Sequence, residues 1–246
     1  MNAQNNRGLF TRAIRYSFPV LLGYLAIGIA FGLLMADAGY PWWLSLIMSV
    51  VMYAGAGQYI AVGLFAAGAG FFEAALVQLV VNTRHIAYGL TMLKRFNASG
   101  PYKYYLIFAL TDETFALLSS LPEGENRENQ SPGAKSRFMF LVALLNHGYW
   151  IAGTVAGALL GTLIPFDMGG IDFALTALFV VLMIEQILRV KRSSPFIISA
   201  LAAILGAVFL PSRLSLLSAM VIALGVVQAL TRKEHGNTGN LEAGNG

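Results

Sequence analysis

The sequence predicts an all-α fold: a polytopic bundle of about seven to eight transmembrane helices, with a broken or re-entrant segment and an internal repeat. Three observations carry that prediction. Hydrophobic residues make up 57% of the 246-residue chain and charged residues only 11%, against roughly 25% charged in an ordinary soluble domain. The apolar residues fall into runs suited to crossing about 30 Å of hydrocarbon. The sixteen Lys and Arg sit almost wholly in the connections between those runs, where basic residues set membrane orientation. The net charge of +4 therefore reads as topology, not as nucleic-acid binding. Cysteine is absent, which leaves no disulfide framework and no thiolate metal site.

Residues 1–15 carry Arg7, Arg12 and Arg15 without an apolar core, and read as a cytoplasmic N-terminal segment rather than a cleaved signal. A transmembrane domain follows over 16–230. Its first span is Tyr16–Ala36, where Gly28 and Gly32 form a small-residue step that lets a second helix approach closely. The second span, Trp42–Phe65, contains Tyr53-Ala54-Gly55-Ala56-Gly57-Gln58-Tyr59. Two glycines around one alanine weaken the helix there and expose backbone amides to a carboxylate or carbonyls to a cation.

The third span, Phe71–Leu93, is interrupted by Asn82-Thr83-Arg84-His85. Such groups are costly in a bilayer and normally face a bundle interior or an aqueous cavity. Asn82 and His85 share one helical face, as do Arg84 and Tyr88. Arg84 cannot lose its charge and needs a counter-ion. It lies about 15 Å along a helix from Lys94, so snorkelling to the same surface is strained. With Lys94, Arg95 and Lys103 following it on the side that carries few basic residues, the cluster marks either a broken or re-entrant segment, a broken helix being favoured, or a place where the local charge rule loses.

The fourth span, Tyr102–Leu121, holds Thr111-Asp112-Glu113-Thr114 midway. Two adjacent carboxylates at that depth are the natural partners of Arg84 and His85, or of a substrate ammonium or a proton. The fifth, Phe138–Ile164, carries Asn146 and His147 and the small-residue ladder Gly153, Gly157 and Gly161. Phe173–Leu188 is the sixth, with Glu185-Gln186 near a membrane surface beside Arg189. Phe196–Leu210 and Leu214–Leu230 are short and separated by Pro211-Ser212-Arg213, which suits a hairpin of partial spans. Glu123–Arg137 is the one extended polar loop, and 231–246 is a polar tail expected to be disordered and cytoplasmic.

With the N-terminus in the cytoplasm and eight crossings, eleven basic residues fall on the cytoplasmic side and four on the other. Three of the four, Lys94, Arg95 and Lys103, follow the polar cluster directly. A weak repeat joins the halves: Gly23-Tyr24, Gly28, Gly32 and Leu34 recur at one offset as Gly148-Tyr149, Gly153, Gly157 and Leu159. The units would be 16–93 and 138–210, parallel if all segments cross and inverted if one is re-entrant. No catalytic or metal site is assigned. Ser119-Ser120 lack a base in register, the three histidines lack ligand spacing, and no phosphate-binding loop is present.

The run Gly23-Tyr24 through Gly28-Ile29-Ala30-Phe31-Gly32, then Tyr53-Ala54-Gly55-Ala56-Gly57-Gln58, Asn82-Thr83-Arg84-His85 with Tyr88-Gly89, and Leu110-Thr111-Asp112-Glu113-Thr114-Phe115, resembles the AzlC family over most of Phe18–Leu230. The resemblance implies the large subunit of a bacterial branched-chain amino acid exporter in the inner membrane, working with a small AzlD-type membrane subunit and no cofactor. An acid can stand at the Asn82 position in that family, so Asn82 bears on proton coupling.

The residues then suggest roles. Arg84 and the amides near Gly55 and Gly57 would take a substrate carboxylate, Asp112 or Glu113 the ammonium, and His85 or the remaining acid a coupling proton. Asn82, Gln58, Tyr53, Tyr59, Tyr88 and Phe115 would complete the pocket. The alternatives are an exporter of other small amino acids or dipeptides, and a non-transporting scaffold or channel subunit.

Overall fold

The computed structural model describes residues 3–121, 132–163 and 194–209, with isolated helical positions at 180, 183, 184 and 187. No strand occurs among the described residues. Two compact units divide the chain, Met1–Asp172 and Phe173–Gly246. The predicted spans Phe173–Leu188, apart from those isolated positions, and Leu214–Leu230 lie outside the described residues, as do Glu185-Gln186, Arg189 and the tail 231–246.

In the first unit, α1 runs Ala3–Asp37 with Pro19 inside it, so helix begins well before the predicted span at Tyr16. It stops at a left-handed glycine. Gly39 has φ 77°, its amide donates to Ala36 O, and the Tyr40 amide donates to Met35 O, which closes the last turn. After Pro41 comes α2, Trp42–Val51, and then α3, Gly55–Ala66. The next helix, α4, spans Phe71–Phe96 without interruption. Beyond a 3₁₀ turn at Asn97–Ser99 lie α5, Tyr102–Phe108, α6, Asp112–Ser119, and the long α7, Pro132–Leu163. In the second unit α8 covers Ser194–Phe209, close to the predicted span Phe196–Leu210.

Three expectations about continuity are corrected. The Asn82–His85 cluster does not break its helix: α4 is continuous, because Asn82 and Thr83 donate to Gln78 and Leu79 one turn back on the same helix and Arg84 pairs with Asp112 on α6. The predicted span Trp42–Phe65 is two helices, separated by Met52–Ala54. Tyr102–Leu121 is also two helices, separated by Ala109–Thr111.

The core of the first unit is the pair α1 and α7, brought together by glycine. A methyl group on Gly28 would lie 3.1 Å from the Thr154 amide nitrogen and 3.2 Å from Gly153 Cα. One on Gly32 would collide with the backbone of Thr154 and Ala158, one on Gly157 with the Ile29 carbonyl, and one on Gly161 with the Ala36 side chain. Contacts rise together along both helices, so α1 and α7 run parallel. Residues 125 apart, Gly28 with Gly153 and Gly32 with Gly157, meet across the seam.

Stretches of both helices, Arg7–Asp37 and Gly133–Leu163, are long and apolar enough to cross a bilayer, while α2, α3 and Phe196–Leu205 are shorter apolar helices. On α4 the outward side carries Phe72, Leu79, Ile86 and Leu90, all exposed and set about one or two turns apart, a stripe suited to hydrocarbon.

Candidate functional site

The two helix breaks meet at one cavity of about 260 Å³. Met52, Tyr53 and Ala54 line it from the first break, Phe108 and Leu110 from the second, and Asn82 and His85 from the continuous α4. Each break has an identifiable lock. Tyr53 has φ 40°, a left-handed backbone uncommon for a residue with a side chain. Its amide would be the ordinary helical partner of the Ser49 carbonyl, which accepts instead from His147 Nε2 at 3.0 Å. A carbonyl can only accept, so Nε2 carries the hydrogen and Nδ1 accepts from the Tyr105 hydroxyl at 2.9 Å. The His147 ring stacks under Tyr53, centroids 4.1 Å apart. At the second break Thr111 caps α6, its hydroxyl accepting from the Thr114 amide.

Charge concentrates at the start of α6. Asp112 and Glu113 occupy its first turn, where the helix dipole favours anions. Asp112 Oδ2 lies 2.6 Å from Arg84 Nη1, with side-chain exposures of 16% and 32%, and Asp112 Oδ1 accepts from the Tyr88 hydroxyl at 2.6 Å. Glu113 Oε2 accepts from the Tyr24 hydroxyl at 2.8 Å. Tyr24 also lies 2.6 Å from Thr111 Oγ1, which donates to Thr114 Oγ1, and Asn146 Nδ2 donates to that same atom. This chain ties α1, α6 and α7 together. The far end of α6 is held too: Arg95 donates to the carbonyls of Leu118, Ser119 and Leu121, and Tyr16 to that of Leu117.

The structure brings together many of the residues singled out from sequence. Asn82, His85 and Tyr53 line the cavity; Arg84, Asp112 and Tyr88 form the ion-pair cluster; and Phe115 stacks on Tyr88 at 4.5 Å. Gly55 and Gly57 open α3, whose N-terminus has no side-chain cap. A methyl group on Gly57 would lie 2.8 Å from Gln78 Oε1 and 3.1 Å from Asn82 Nδ2, so the glycine keeps α3 and α4 close. Gln58 and Tyr59 do not line the cavity. Gln58 is fully buried, accepting from Trp150 Nε1 at 2.8 Å and donating to Ser49 Oγ, while Tyr59 donates to the Ile27 carbonyl. Asn82 Nδ2 donates to Gln78 O and Oε1, and its Oδ1 is buried without a hydrogen bond.

Sequence reasoning assigned no role to Tyr24, Gln78, Tyr105 or Thr111, nor to Arg95 as a cap, and His147 was noted only as an interruption. Tyr24 stood in the repeat, and Tyr24 and Thr111 in the motifs that carry the family resemblance; for Gln78 and Tyr105 a polar atom in an otherwise apolar run was the signal. Among the described residues no three His, Cys, Asp or Glu side chains gather as a metal-ligand set.

A sequence model described as "AzlC protein" matches residues 19–164. A "Branched-chain amino acid transport protein AzlC" of Bacillus subtilis is 32% identical over 91% of this chain and 85% of its own length. An "Uncharacterized membrane protein" of Helicobacter pylori is 38% identical over 92% and 97%. The "Inner membrane protein YgaZ" of Escherichia coli is 29% identical over 80% and 79%. No solved structure matches.

Proposed function

The chain belongs to the AzlC family of membrane proteins, and from that premise we propose that it is a secondary transporter exporting branched-chain amino acids. It does so from the bacterial inner membrane, N-terminus in the cytoplasm, coupled to proton entry and paired with a small AzlD-type subunit. A transport role is supported by the Bacillus subtilis relative. The substrate class, the coupling and the partner are our reading.

The observation that carries this reading is the cavity between two helix breaks. Interrupted helices place half-helix ends near the middle of a bilayer, where an N-terminus favours an anion and a C-terminus a cation. The two N-termini here differ. That of α6 is already capped by Thr111 and carries two acids; that of α3 begins beside Ala54 with no side-chain cap. The substrate carboxylate therefore goes to the Gly55–Gly57 amides, with Arg84 reaching it when the Asp112 pair opens. Asp112 or Glu113 takes the ammonium, with Asn82 beside it. Met52, Ala54, Phe108 and Leu110 give the branched side chain an apolar wall. His85 or an acid carries the proton.

The 2.6 Å ion pair also suits a subunit whose polar groups only lock helices. Export of radiolabelled leucine from preloaded cells, with the chain alone and with the small subunit, separates the two. Saturable, gradient-dependent efflux is expected. With both chains confirmed in the membrane, no change in leucine, isoleucine or valine efflux would overturn the branched-chain reading.

A further inference from the structure

We infer that Glu113 rather than Asp112 carries the coupling proton, and that Tyr24 passes its charge state to the hydrogen-bond chain joining α1, α6 and α7. This rests on the proposed transport function and assigns a role that function leaves open among His85 and two neighbouring acids.

The two carboxylates share the first turn of α6 but differ in what answers their charge. Asp112 has a cation, Arg84 at 2.6 Å, and a hydroxyl, Tyr88 at 2.6 Å. Glu113 makes no ion pair among the described residues. Its side-chain hydrogen-bond partner is the Tyr24 hydroxyl at 2.8 Å, and its other ionisable neighbours are Tyr53, Asp112 and Arg84, the last already engaged by Asp112. Of two acids in a low-dielectric setting, the one lacking a cation is the one whose charge a proton must neutralise. Protonating Asp112 would instead leave the Arg84 charge without its partner.

The second half of the inference follows from what Tyr24 touches. With Glu113 ionised, the single Tyr24 proton points to Oε2. With Glu113 protonated, its O–H donates to the Tyr24 oxygen and the Tyr24 proton turns to Thr111 Oγ1, 2.6 Å away. Thr111 and Thr114 then lie in series with Asn146, whose Oδ1 is buried without a hydrogen bond. One proton taken from the outer side and released to the cytoplasm thus turns the Tyr24 hydroxyl from the carboxylate to Thr111, the head of a chain that joins three helices. A hydroxyl with two acceptors, Glu113 Oε2 and Thr111 Oγ1, is a two-state element that such a proton can bias.

The test compares two fluxes of radiolabelled leucine in membrane vesicles holding the full chain and its small subunit: exchange at equal pH, and net efflux driven by a pH gradient. Glu113→Gln is expected to lower driven efflux at least tenfold more than exchange and to flatten its pH profile. Asp112→Asn is expected to lower both alike. Tyr24→Phe, which keeps the carboxylate, is expected to displace the midpoint of the driven-efflux pH profile. Equal loss of both fluxes in Glu113→Gln, selective loss of driven efflux in Asp112→Asn, or an undisplaced profile in Tyr24→Phe would overturn the inference while leaving the transport function standing. Absence of exchange by the wild-type protein would remove both.

Discussion

Asp112 is held from two sides, by Arg84 and by Tyr88, so each partner's removal has a different cost. Arg84→Ala and Asp112→Asn are each expected to abolish leucine export, because each leaves the other group without its counter-charge. Burial is incomplete, so the stability loss should be about 2 kcal/mol, below that of a fully enclosed pair. Efflux assays and thermal unfolding in detergent check the two halves of that statement; wild-type flux in either variant would remove the pair from the mechanism. At this scale the pairing of Arg84 with an acid was legible, since a permanent charge in an apolar run demands a counter-ion. Tyr24 was not, because a tyrosine among apolar residues reads as packing until its hydroxyl is seen to reach a carboxylate.

Among the elements, α6 is held at both ends by side chains. Three of its last carbonyls, and that of Leu121 just beyond it, are taken by Arg95 and Tyr16, whereas its first turn carries the acids. Arg95→Gln should therefore loosen α6 by about 1–3 kcal/mol and slow export, with Tm and efflux falling together; an unchanged Tm would show that water replaces the cap fully. The cap also gives Arg95 a structural use, a helix end, besides any part in orientation.

The break at 52–54 was foreshadowed by the glycines that follow it, although those glycines start α3 and the left-handed residue is Tyr53. The break at 109–111 had no such signal, because Phe108-Ala109-Leu110 reads as ordinary apolar helix. Asn82–His85 misled in the opposite direction. A polar cluster breaks a helix only when its side chains leave backbone groups to be satisfied elsewhere, and here Gln78 and Asp112 take up the side chains themselves.

Across the whole molecule, the parallel run of α1 and α7 fixes which ends lie together. The natural absence of cysteine makes that directly measurable. Single cysteines at Gly8 and Gly133 should label from one side of the membrane, and those at Asp37 and Leu163 from the other. Opposite labelling of Gly8 and Gly133 would contradict the parallel pair. The seam itself should be intolerant: Gly32→Val would collide with the α7 backbone and cost about 1–3 kcal/mol or more. Gly23→Ala, which meets nothing within 4 Å, should change Tm little.

That seam also sets a timetable. Gly153 is added 125 residues after Gly28, roughly ten seconds later at ordinary synthesis rates. During that interval α1 sits in the bilayer with its glycine face against lipid or against the α1 of another nascent chain, and it becomes fully partnered only when α7 follows it in. A chain cut short before Pro132 never leaves that state, so such fragments should pair with one another or be cleared by membrane proteases, while the finished protein is spared both fates.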